Sequence, residues 1–462
     1  MESIDPKIFK AYDIRGIFPG ELQEKIAYLV GRSFVEYLRM NDSGRQIFKV
    51  AVGQDMRLSS PVLFKNLAEG LQQQGATVID IGLVSTDALY FAVGKLGFDG
   101  GIMITASHNP PEYNGFKMCQ KEAIPLSADE GIFEIRDLVL KDNFCQRDRG
   151  SSQEFDIASA YTEHLLSFIN PDKIKPFKIV VDAGNGMAGK IVPSVFSHLP
   201  CQLVPMYFEL DGSFPHHIPN PIEPKNVAEL KERVLLEKVD LGVAFDGDAD
   251  RMFLVDENAT SLGGDIVTAL IAKHLLSREN KATVVYNLIC SRIVPEIIER
   301  YRGKSIKSRV GHAFIKPLMR KHNAIFGGEH SGHFYFRGHW YADSGMLALL
   351  VVLELLSEEE TSLSELVKEI DRYFRSGEIN VRLENIPEKL KELETKYAKE
   401  SAKEISRLDG LTVEFDDWWF NARPSNTEPL LRINLEARTK ELLEEKQKEV
   451  LELIGNETTN KH

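Results

Sequence analysis

Three acidic residues at alternate positions are the side chains of this sequence best suited to bind a metal ion. Asp246, Asp248 and Asp250 follow the apolar run of a predicted strand, and the small residues between them let a turning segment bring the carboxylates together. Unit charges about 4 Å apart interact by about 4 kcal/mol at an effective dielectric of 20, so gathered carboxylates repel one another unless a cation lies among them. Because the ligands are oxygens, Mg²⁺ or Ca²⁺ is favoured over zinc.

Two other interpretations of this segment stay open on its spacing. An EF-hand would add Glu257 as its last ligand, but Arg251 stands where that loop requires glycine, and strands rather than helices are predicted on both sides. A solvated acidic turn would need no ion.

A serine just past a predicted strand is the second feature that could do chemistry. The apolar run Gly100 to Ile104 predicts a buried strand, so Ser107 comes at its carboxyl end, where open α/β sheets bind their ligands. Two consecutive prolines then prevent a helix, and Gly115 lets the chain double back and carry Lys117 toward the serine. The alternative is a proline-stiffened turn with an incidental serine.

The segment Thr-Ala-Ser-His-Asn-Pro around Ser107 resembles the phosphoserine loop of the α-D-phosphohexomutases, in particular their bacterial phosphomannomutase/phosphoglucomutase branch. The acidic segment resembles the metal loop of the same family. The resemblance implies one Mg²⁺ per chain, bound by Asp246, Asp248 and Asp250 and by an oxygen of phosphorylated Ser107. It also implies that Arg251 faces the substrate.

The segment Tyr-Asp-Ile-Arg-Gly near the amino terminus is a polar turn on its residues alone. It is similar to the family's amino-terminal signature, which implies that Tyr12 and Arg15 lie at the reaction centre. For proton transfer, the candidate is Lys117, assisted by Arg15 or His108, although a lysine acts as a base only if its pKa is depressed.

A glycine-rich loop after a later predicted strand carries Glu329, Ser331 and His333. Such side chains can hydrogen-bond adjacent sugar hydroxyls, but a satisfied polar turn would use the same residues. The loop resembles the family's sugar-binding loop, which implies that Glu329 and Ser331 contact O3 and O4. His312 matches a histidine near the sugar, and His333 is a further candidate.

The segment Arg-Pro-Ser-Asn-Thr-Glu-Pro lies between two predicted strands close to the carboxyl terminus. A guanidinium, two hydroxyls, an amide and the N–H groups of a tight turn suit a phosphate dianion, although a plain hairpin turn is possible. The family's phosphate-binding loop is similar. The predicted phosphate ligands are Arg423, Ser425, Asn426, Thr427 and Arg432.

The run Gly184 to Gly189 matches G-x-G-x-x-G after a strand, and Glu209 could serve as the ribose-binding acid of a dinucleotide site. Tight strand-to-helix turns need glycines without any pyrophosphate as well. The resemblance implies the structural role, because the phosphohexomutases carry a similar turn here.

Length and patterning predict several domains, and the resemblance implies that they are arranged around a central cleft. The 462 residues exceed one ordinary domain, and strands alternate with helices as in mostly parallel, helix-covered sheets. We expect three consecutive α/β units with mixed, mostly parallel sheets, followed by a smaller α+β unit. They are a phosphoserine-loop unit (1–152), a metal-loop unit (153–256), a sugar-loop unit (257–370) and a phosphate-binding unit (371–462).

Composition restricts the partners. A net charge of −13 argues against nucleic acid, which requires a broad basic surface. The longest apolar run, Met346 to Leu353, is too short to span a bilayer, and the amino terminus lacks a signal sequence, so a cytoplasmic protein without membrane partners is expected. Its expected oligomeric state is a monomer or a homodimer. The four cysteines are dispersed and argue against a disulfide framework.

The resemblance covers all four units and implies interconversion of hexose 1-phosphate and 6-phosphate, with mannose, glucose or both as the sugar. Phosphorylated Ser107 would exchange its phosphoryl group through a hexose 1,6-bisphosphate, which also serves as activator. One departure is Ile289, where the branch commonly has lysine. Phosphoglucosamine mutase and a metal-dependent sugar phosphatase are the alternatives, while a dinucleotide oxidoreductase or a noncatalytic sugar-phosphate binder would be of another class.

Overall fold

The computed structural model describes residues 4–128, 130–425 and 429–455. Four sheets follow one another along the chain. The first three mix parallel and antiparallel strands between helices, and the fourth is antiparallel. The predicted architecture of three α/β units and a carboxyl-terminal α+β unit is therefore confirmed.

The first unit holds a sheet of order β1-β5-β4-β2-β3-β7, with β6 paired to β5. Strands β4, β2, β3 and β7 are parallel, and every residue of β4 is buried. The elements are β1 (Ile14–Ile17), α1 (Glu24–Asn41), β2 (Lys49–Gln54), α2 (Ser60–Gln73), β3 (Thr77–Leu83), α3 (Thr86–Leu96), β4 (Gly100–Ile104), β5 (Tyr113–Gln120), β6 (Ile124–Pro125), α4 (Ile132–Lys141) and β7 (Ser152–Glu154).

The second unit has the sheet order β12-β11-β10-β8-β9, in which β9, β8 and β10 are parallel. Its elements are α5 (Ala158–Leu166), β8 (Lys178–Asp182), α6 (Ala188–Phe196), β9 (Gln202–Met206), α7 (Ala228–Glu237), β10 (Leu241–Phe245), β11 (Met252–Asp256) and β12 (Ser261–Leu262). The predicted unit boundaries stay predictions, but β12 pairs with β11 beyond residue 256, so the second sheet crosses one of them.

The third unit has the sheet order β14-β13-β15-β16-β17, with β14, β13 and β15 parallel. Its elements are α8 (Gly264–Arg278), β13 (Thr283–Asn287), α9 (Ile293–Arg300), β14 (Lys304–Ser308), α10 (His312–His322), β15 (Phe326–Gly328), β16 (Phe334–Phe336), β17 (Ala342–Asp343), α11 (Gly345–Glu359) and α12 (Leu363–Ile370).

The fourth unit has the antiparallel order β18-β22-β21-β20-β19. Its elements are β18 (Phe374–Arg382), α13 (Ile386–Tyr397), β19 (Glu404–Ser406), β20 (Leu411–Glu414), β21 (Trp418–Pro424), β22 (Leu430–Ala437) and α14 (Lys440–Ile454). The charged sequence from Glu388 to Ile405 predicts one long helix, but this prediction is wrong beyond Tyr397, because the chain there turns to pair β19 with β20.

Two further segments differ from the sequence prediction. The polar turn predicted near Tyr12 is followed by strand β1, and the segment that returns Lys117 toward Ser107 is strand β5. β5 runs antiparallel between β4 and β1, which fixes the register of Lys117 opposite Met103. Both segments form strands because they pair with segments distant in sequence, and local sequence patterns do not encode such pairing.

The hydrophobic core is shared unequally among the units. One buried apolar cluster contains Phe91 of the first unit, Val181 of the second and Phe326 of the third. The fourth unit has a cluster of its own around Tyr397 and Phe420. Within the described residues, no helix combines the length and the apolar character needed to cross a membrane.

A polar seam joins the fourth unit to the third. The Arg292 guanidinium donates to Asp416 O at 3.0 Å and to Trp418 O at 3.2 Å, and its backbone N–H donates to Glu436 Oε1 at 3.0 Å. Hydrogen bonds and charges, rather than apolar packing alone, therefore set the position of this unit.

Two histidines meet where the first three units join. His164 Nε2 lies 3.0 Å from His339 Nδ1, and the His164 ring packs on Phe91 and Trp340. Burial, together with nearby Lys95, lowers the pKa of His164 to about 4. Burial lowers the pKa of His339 to about 3, His164 and Lys316 act in the same direction, and Asp343 and the Asp87 backbone oppose them.

We predict that this junction destabilises the protein in acid. Both histidines have folded-state pKa values below the ordinary value of about 6.5, so the unfolded chain binds more protons as the pH falls. Their contribution to stability is complete above pH of about 6.5 and is lost progressively toward pH of about 4. Thermal unfolding between pH 7 and pH 4.5 should show Tm falling by several degrees.

The double variant His164→Gln, His339→Asn cannot titrate at the junction, so its Tm should depend less on pH than that of the wild type. Exposed His198 provides the control, and His198→Gln should leave the pH dependence unchanged. Equal pH dependence in the double variant and the wild type would contradict the prediction.

Candidate active site

Ser107 lies directly after β4, at the carboxyl end of that strand. Its φ is 49°, in the left-handed region that non-glycine residues seldom adopt, and its side chain is buried. The Thr105 hydroxyl helps to hold this turn, because Ser107 N–H donates to Thr105 Oγ1 at 2.9 Å. The sequence prediction placed the serine at this end of the strand.

The acidic residues lie in the hairpin between β10 and β11, where Asp246, Asp248 and Asp250 are all buried. The hairpin approaches the Ser107 loop so closely that a Cβ on Gly247 would lie 2.5 Å from the Ser107 carbonyl oxygen. Glycine is required at that position because two backbones touch.

One hydrogen bond joins the serine to the acidic hairpin. Ser107 Oγ donates to Asp246 Oδ2 at 2.7 Å. The hydroxyl and the carboxylates come from different units of the chain, so this contact depends on how the first two units pack. Ser107 and the three aspartates therefore occupy one place, as the metal-site prediction requires.

The acidic cluster suits a hard divalent cation. One carboxylate oxygen from each aspartate lies within 4.8 Å of the others, and Asp248 Oδ1 and Asp250 Oδ1 are buried without a hydrogen-bond partner among the described residues. Burial, followed by the charge of nearby Asp250, raises the pKa of Asp246 to about 8, so its ionised form is disfavoured unless a cation lies beside it. Oxygen ligands of this kind fit Mg²⁺ or Ca²⁺.

The Lys117 ammonium lies against the same cluster. Its Nζ donates to Asp248 Oδ2 at 2.8 Å and to Asp250 Oδ2 at 2.5 Å. Burial disfavours the ammonium, but the two carboxylates outweigh burial and hold the pKa of Lys117 well above its ordinary value. In this arrangement Lys117 can donate a proton but not accept one, and a role as base requires that a cation take over the carboxylates.

His108, another predicted candidate for proton transfer, lies beside the serine hydroxyl. Its Nδ1 lies 3.1 Å from Ser107 Oγ. Burial lowers the pKa of His108 well below its ordinary value, and the charges of Arg251 and Arg15 lower it further, so the imidazole is neutral at physiological pH.

Two predicted arginines border the serine. Arg251 Nε donates to Asp246 Oδ2 at 2.9 Å, while Arg251 Nη2 is buried without a hydrogen-bond partner among the described residues. Arg15 Nη1 donates to Asn109 Oδ1 at 2.6 Å on the serine loop. Both side chains line the central cleft, where their charge can meet an anion.

Tyr12 connects the first unit to the third across the cleft. Its ring packs edge-on against Phe314, and burial followed by the nearby Glu329 carboxylate raises its pKa. A Cβ on Gly311 would lie 3.0 Å from the Tyr12 hydroxyl. The predicted position of Tyr12 at the cleft agrees with this arrangement.

The predicted sugar loop is only partly turned toward the cleft. Glu329 Oε2 accepts from Asn287 Nδ2 and Gly311 N–H, each at 3.1 Å, and Oε1 accepts from the Tyr335 hydroxyl. Buried carboxylates need donors, and these donors hold Glu329 away from the cleft lining. Ser331 likewise lies outside the lining.

His333 does line the cleft, unlike the two residues before it. Its Nδ1 lies 3.1 Å from Ser331 Oγ, and its Nε2 lies 3.7 Å from Asp250 Oδ1 and 3.8 Å from Asp343 Oδ2. The histidine thus connects the sugar loop with the acidic hairpin. The backbone of His312 begins α10, but its side chain lies outside the described part of the structure.

Two predicted phosphate ligands are held by a carboxylate of the fourth unit. Arg423 Nη1 donates to Asn434 Oδ1 at 2.9 Å and Nη2 to Glu378 Oε2 at 2.5 Å, and Arg432 Nη1 lies 3.5 Å from Glu378 Oε1. Burial, and less strongly Arg432, lowers the pKa of Arg423, while Glu378 opposes the shift. Ser425 lines the cleft, whereas Asn426 and Thr427 lie outside the described residues.

The cleft has a volume of about 460 Å³ and is bordered by all four units. Predicted residues that line it are Tyr12, Arg15, Ser107, His108, Lys117, Asp250, Arg251, His333, Arg423, Ser425 and Arg432. Ile289 is buried and does not line it. The cleft therefore gathers cations around a serine and an acidic hairpin.

Some residues of the site were not predicted from the sequence. Thr86, at the start of α3, donates its hydroxyl to Asp248, and its N–H donates to Asp248 O at 3.1 Å. Lys316 is buried in the cleft floor, 2.6 Å from Asp343 Oδ1. A helix-start threonine carries no functional signal, but a lysine on the buried face of α10 breaks the apolar periodicity and could have been noticed.

The alternative interpretations of two motifs do not fit the structure. Glu257 accepts hydrogen bonds from Ser364, and the flanking elements are strands, so no EF-hand forms. A Cβ on Gly186 would lie 2.7 Å from Gly247 O, and one on Gly189 would lie 2.2 Å from Phe208 O. Protein backbone fills the space beside the glycine turn, which supports its structural role.

Comparison with known families agrees with this architecture. Four phosphoglucomutase/phosphomannomutase family models match in sequence, namely alpha/beta/alpha domain I (6–145), domain II (159–263), domain III (263–373) and the C-terminal domain (378–453). The chain belongs to the phosphoglucomutase/phosphomannomutase family. It is thus a hexose phosphate mutase, an isomerase, as its motifs predict.

Individual relatives match over nearly the whole chain. Phosphomannomutase of Vibrio cholerae is 41% identical over 456 residues, covering 96% of this chain and 98% of that protein. Phosphomannomutase of Methanocaldococcus jannaschii is 41% identical, covering 98% of both. A phosphoglucomutase/phosphomannomutase family protein from Burkholderia thailandensis has a crystal structure that superposes with a TM-score of 0.90 at 32% identity, covering 99% of each chain.

We predict that Mg²⁺ raises the Tm of this phosphohexomutase and that Asp248→Asn removes most of the effect. A ligand at one hundred times its dissociation constant stabilises the folded state by about 2.7 kcal/mol. Losing one carboxylate should weaken Mg²⁺ binding by about tenfold or more. Thermal unfolding over a range of Mg²⁺ concentrations measures the change.

Asp99→Asn is the matched control, because this buried carboxylate accepts from Lys49 N–H at 2.8 Å outside the cleft. Its Mg²⁺ response should equal that of the wild type. A wild-type Tm that does not respond to Mg²⁺, or an equal response in Asp248→Asn, would count against the metal site.

Proposed function

We propose that this enzyme interconverts the 1-phosphates and 6-phosphates of glucose and mannose, with Ser107 as the carrier of the phosphoryl group. The observation that carries the proposal is the contact of Ser107 Oγ with Asp246 Oδ2 at 2.7 Å, beside two buried carboxylate oxygens without partners among the described residues. A hydroxyl next to an incompletely neutralised acidic cluster suits phosphoryl transfer that uses a metal ion.

The residues that would hold Mg²⁺ are Asp246, Asp248 and Asp250, together with a phosphate oxygen on Ser107. When bound there, the ion neutralises negative charge on the transferring phosphoryl group. Arg251 contributes a second positive charge, because it lines the same cleft and its buried Nη2 has no hydrogen-bond partner among the described residues.

The reaction proceeds in two transfers. In the first, a free hydroxyl of the hexose phosphate attacks the phosphorus on Ser107, the bond to Oγ breaks, and a hexose 1,6-bisphosphate forms. The proton of the attacking hydroxyl passes to a base, and Ser107 Oγ regains a proton. After the bisphosphate reverses its orientation, its other phosphoryl group returns to Ser107 and leaves the isomeric monophosphate.

His108 is the proton acceptor that geometry favours, because its neutral Nδ1 lies 3.1 Å from Ser107 Oγ. Lys117 remains a candidate once Mg²⁺ neutralises Asp248 and Asp250, since these carboxylates hold its proton in place. Arg15, fixed by Asn109 on the serine loop, would stabilise charge on the phosphoryl oxygens.

The resting phosphate binds at the opposite side of the cleft. Arg423 and Arg432 stand opposite each other on paired strands, so their guanidiniums can bind the dianion in either orientation of the sugar. Asn426, Thr427 and Ser425 would complete this phosphate site.

Sugar recognition would use Glu329, Ser331, His333, His312 and Tyr12. Contacts to O3 and O4 suit an intermediate that reverses, because these atoms roughly exchange places. Glu329 must first release the donors that hold it, so we expect its side chain to reorient when the sugar binds.

We predict that the purified protein carries phosphate on Ser107 in part of its population. Ser107→Ala should lower mutase kcat by about a thousandfold or more, because the phosphoryl carrier is lost, while circular dichroism stays normal. Peptide mapping by mass spectrometry and a coupled mutase assay measure both properties.

Ser33→Ala is the control, since Ser33 is buried in α1 outside the cleft, and this variant should keep wild-type kcat and phosphorylation. Phosphate found only at other residues, or unchanged turnover in Ser107→Ala, would refute the role of Ser107. Stoichiometric release of inorganic phosphate would indicate a phosphatase instead.

We also predict that glucose 1-phosphate and mannose 1-phosphate have kcat/KM values within about tenfold of each other. The two sugars differ at C2, and the proposed contacts are at O3 and O4, so few interactions discriminate between them. Competition between the two substrates measures the ratio. A strong preference for glucosamine 1-phosphate over both would favour phosphoglucosamine mutase.

A further inference from the structure

Arg57 is a fully buried arginine that binds the backbone of the serine loop, residues 105–113. It stands between β2 and α2 and does not line the cleft. Its guanidinium donates to four carbonyl oxygens on that loop, those of Ser107 (2.9 Å), Asn109 (2.6 Å), Pro110 (2.7 Å) and Tyr113 (2.9 Å). One side chain therefore fixes both ends of the loop that displays Ser107.

The planar fork of a guanidinium is the group that can serve four acceptors at once. Its two terminal nitrogens each bind two carbonyls, and Nε lies 3.3 Å from Asp55 Oδ2. Asp55 compensates the buried charge, and it is itself fixed by Arg57 N–H at 3.0 Å and by the Ser60 hydroxyl at 2.8 Å. A lysine ammonium is compact and cannot reach the four oxygens together.

A loop of the second unit covers this arginine. The Phe214 ring centroid lies 5.0 Å from the guanidinium carbon, and a Cβ on Gly212 would lie 2.5 Å from Arg57 Cα. Farther along the same loop, Pro219 packs against the acidic hairpin, where a Cβ on Gly247 would lie 3.2 Å from Pro219 Cγ. This loop of the second unit therefore contacts both the arginine that holds the serine loop and the acidic hairpin.

The serine loop needs such support. Ser107 has a φ of 49°, a conformation that costs energy and persists only when the surroundings impose it. The buried carbonyl of Ser107 and the three partly buried carbonyls of the loop would also lose these donors if the guanidinium were removed.

We infer that Arg57 is a positioning residue for phosphoryl transfer, held by Asp55 and covered by Phe214, that sets Ser107 at the acidic cluster. The inference rests on the proposed role of Ser107. Arg57 touches no reacting atom; it acts through the loop. Its loss should therefore impair transfer to and from Ser107 while leaving phosphosugar binding to the other units unchanged.

The test is Arg57→Lys, which keeps the charge but loses the fork. We expect kcat and the rate of Ser107 phosphorylation by hexose 1,6-bisphosphate to fall by about ten- to hundredfold, because small misplacements of a reacting group have effects of that size. KM should change by less than about twofold. Amide hydrogen exchange, followed by mass spectrometry of peptides covering residues 105–113, should become faster there and not elsewhere.

Arg39→Lys is the matched control. Arg39 also donates to a backbone carbonyl, that of Gln74 at 3.1 Å, and lies over the Phe48 ring in the same unit, but it is remote from the serine loop. It should leave kcat and exchange at residues 105–113 unchanged. A kcat and an exchange rate equal to wild type in folded Arg57→Lys would overturn the inference.

If Arg57→Lys does not fold, Phe214→Leu tests whether Arg57 positions the serine loop. Removing the ring loosens the cover, so kcat should fall about threefold to tenfold with faster exchange at residues 105–113. Unchanged values of both would overturn the inference. Hydrogen exchange reports on the loop independently of catalysis. A wild-type protein without mutase activity would refute the proposed function. Faster exchange in Arg57→Lys would still establish that Arg57 positions the loop.

Discussion

The concentration of buried negative charge beside Ser107 is the constraint on which the rest of this structure depends. Three aspartates whose carboxylate oxygens lie within 4.8 Å of one another would repel strongly in a protein interior. The fold compensates with Lys117, with Arg251 and with the amino-terminal end of α3, yet burial and the neighbouring Asp250 carboxylate still raise the pKa of Asp246. The remaining deficit of positive charge is what makes the site receptive to a metal ion.

The separate loops explain why four units are needed. Strand ends of the first two units present the serine and the aspartates, the third brings His333, and the fourth presents Arg423 and Arg432. Each loop places only part of the required charge, so no single unit carries a complete site. Glu378 pairs with both arginines of the fourth unit and orients them. The protein is acidic overall, but its cleft concentrates cations where a phosphosugar would bind.

Much of this arrangement could be predicted from local sequence patterns. The buried strand before Ser107 and the small residues between the aspartates are local features, and the structure places both as expected. Lys117 was expected near Ser107, but its strand pairing and its contacts with Asp248 and Asp250 depend on residues distant in sequence. Likewise, Glu329 was expected to face the sugar, yet Asn287 and Tyr335 hold it, and no local pattern encodes those donors.

The unequal distribution of the core has a consequence for how the chain unfolds. One apolar cluster runs through the first three units, beside a second cluster that lies within the first unit alone. Loss of the shared packing in any of these units exposes surface of the others, so they should melt as one cooperative body. The fourth unit has its own apolar core, and its contacts with the third unit include the polar seam around Arg292. It can therefore open as a separate foldon, and the side of the cleft that carries Arg423 and Arg432 can come apart while the serine and the acids stay together.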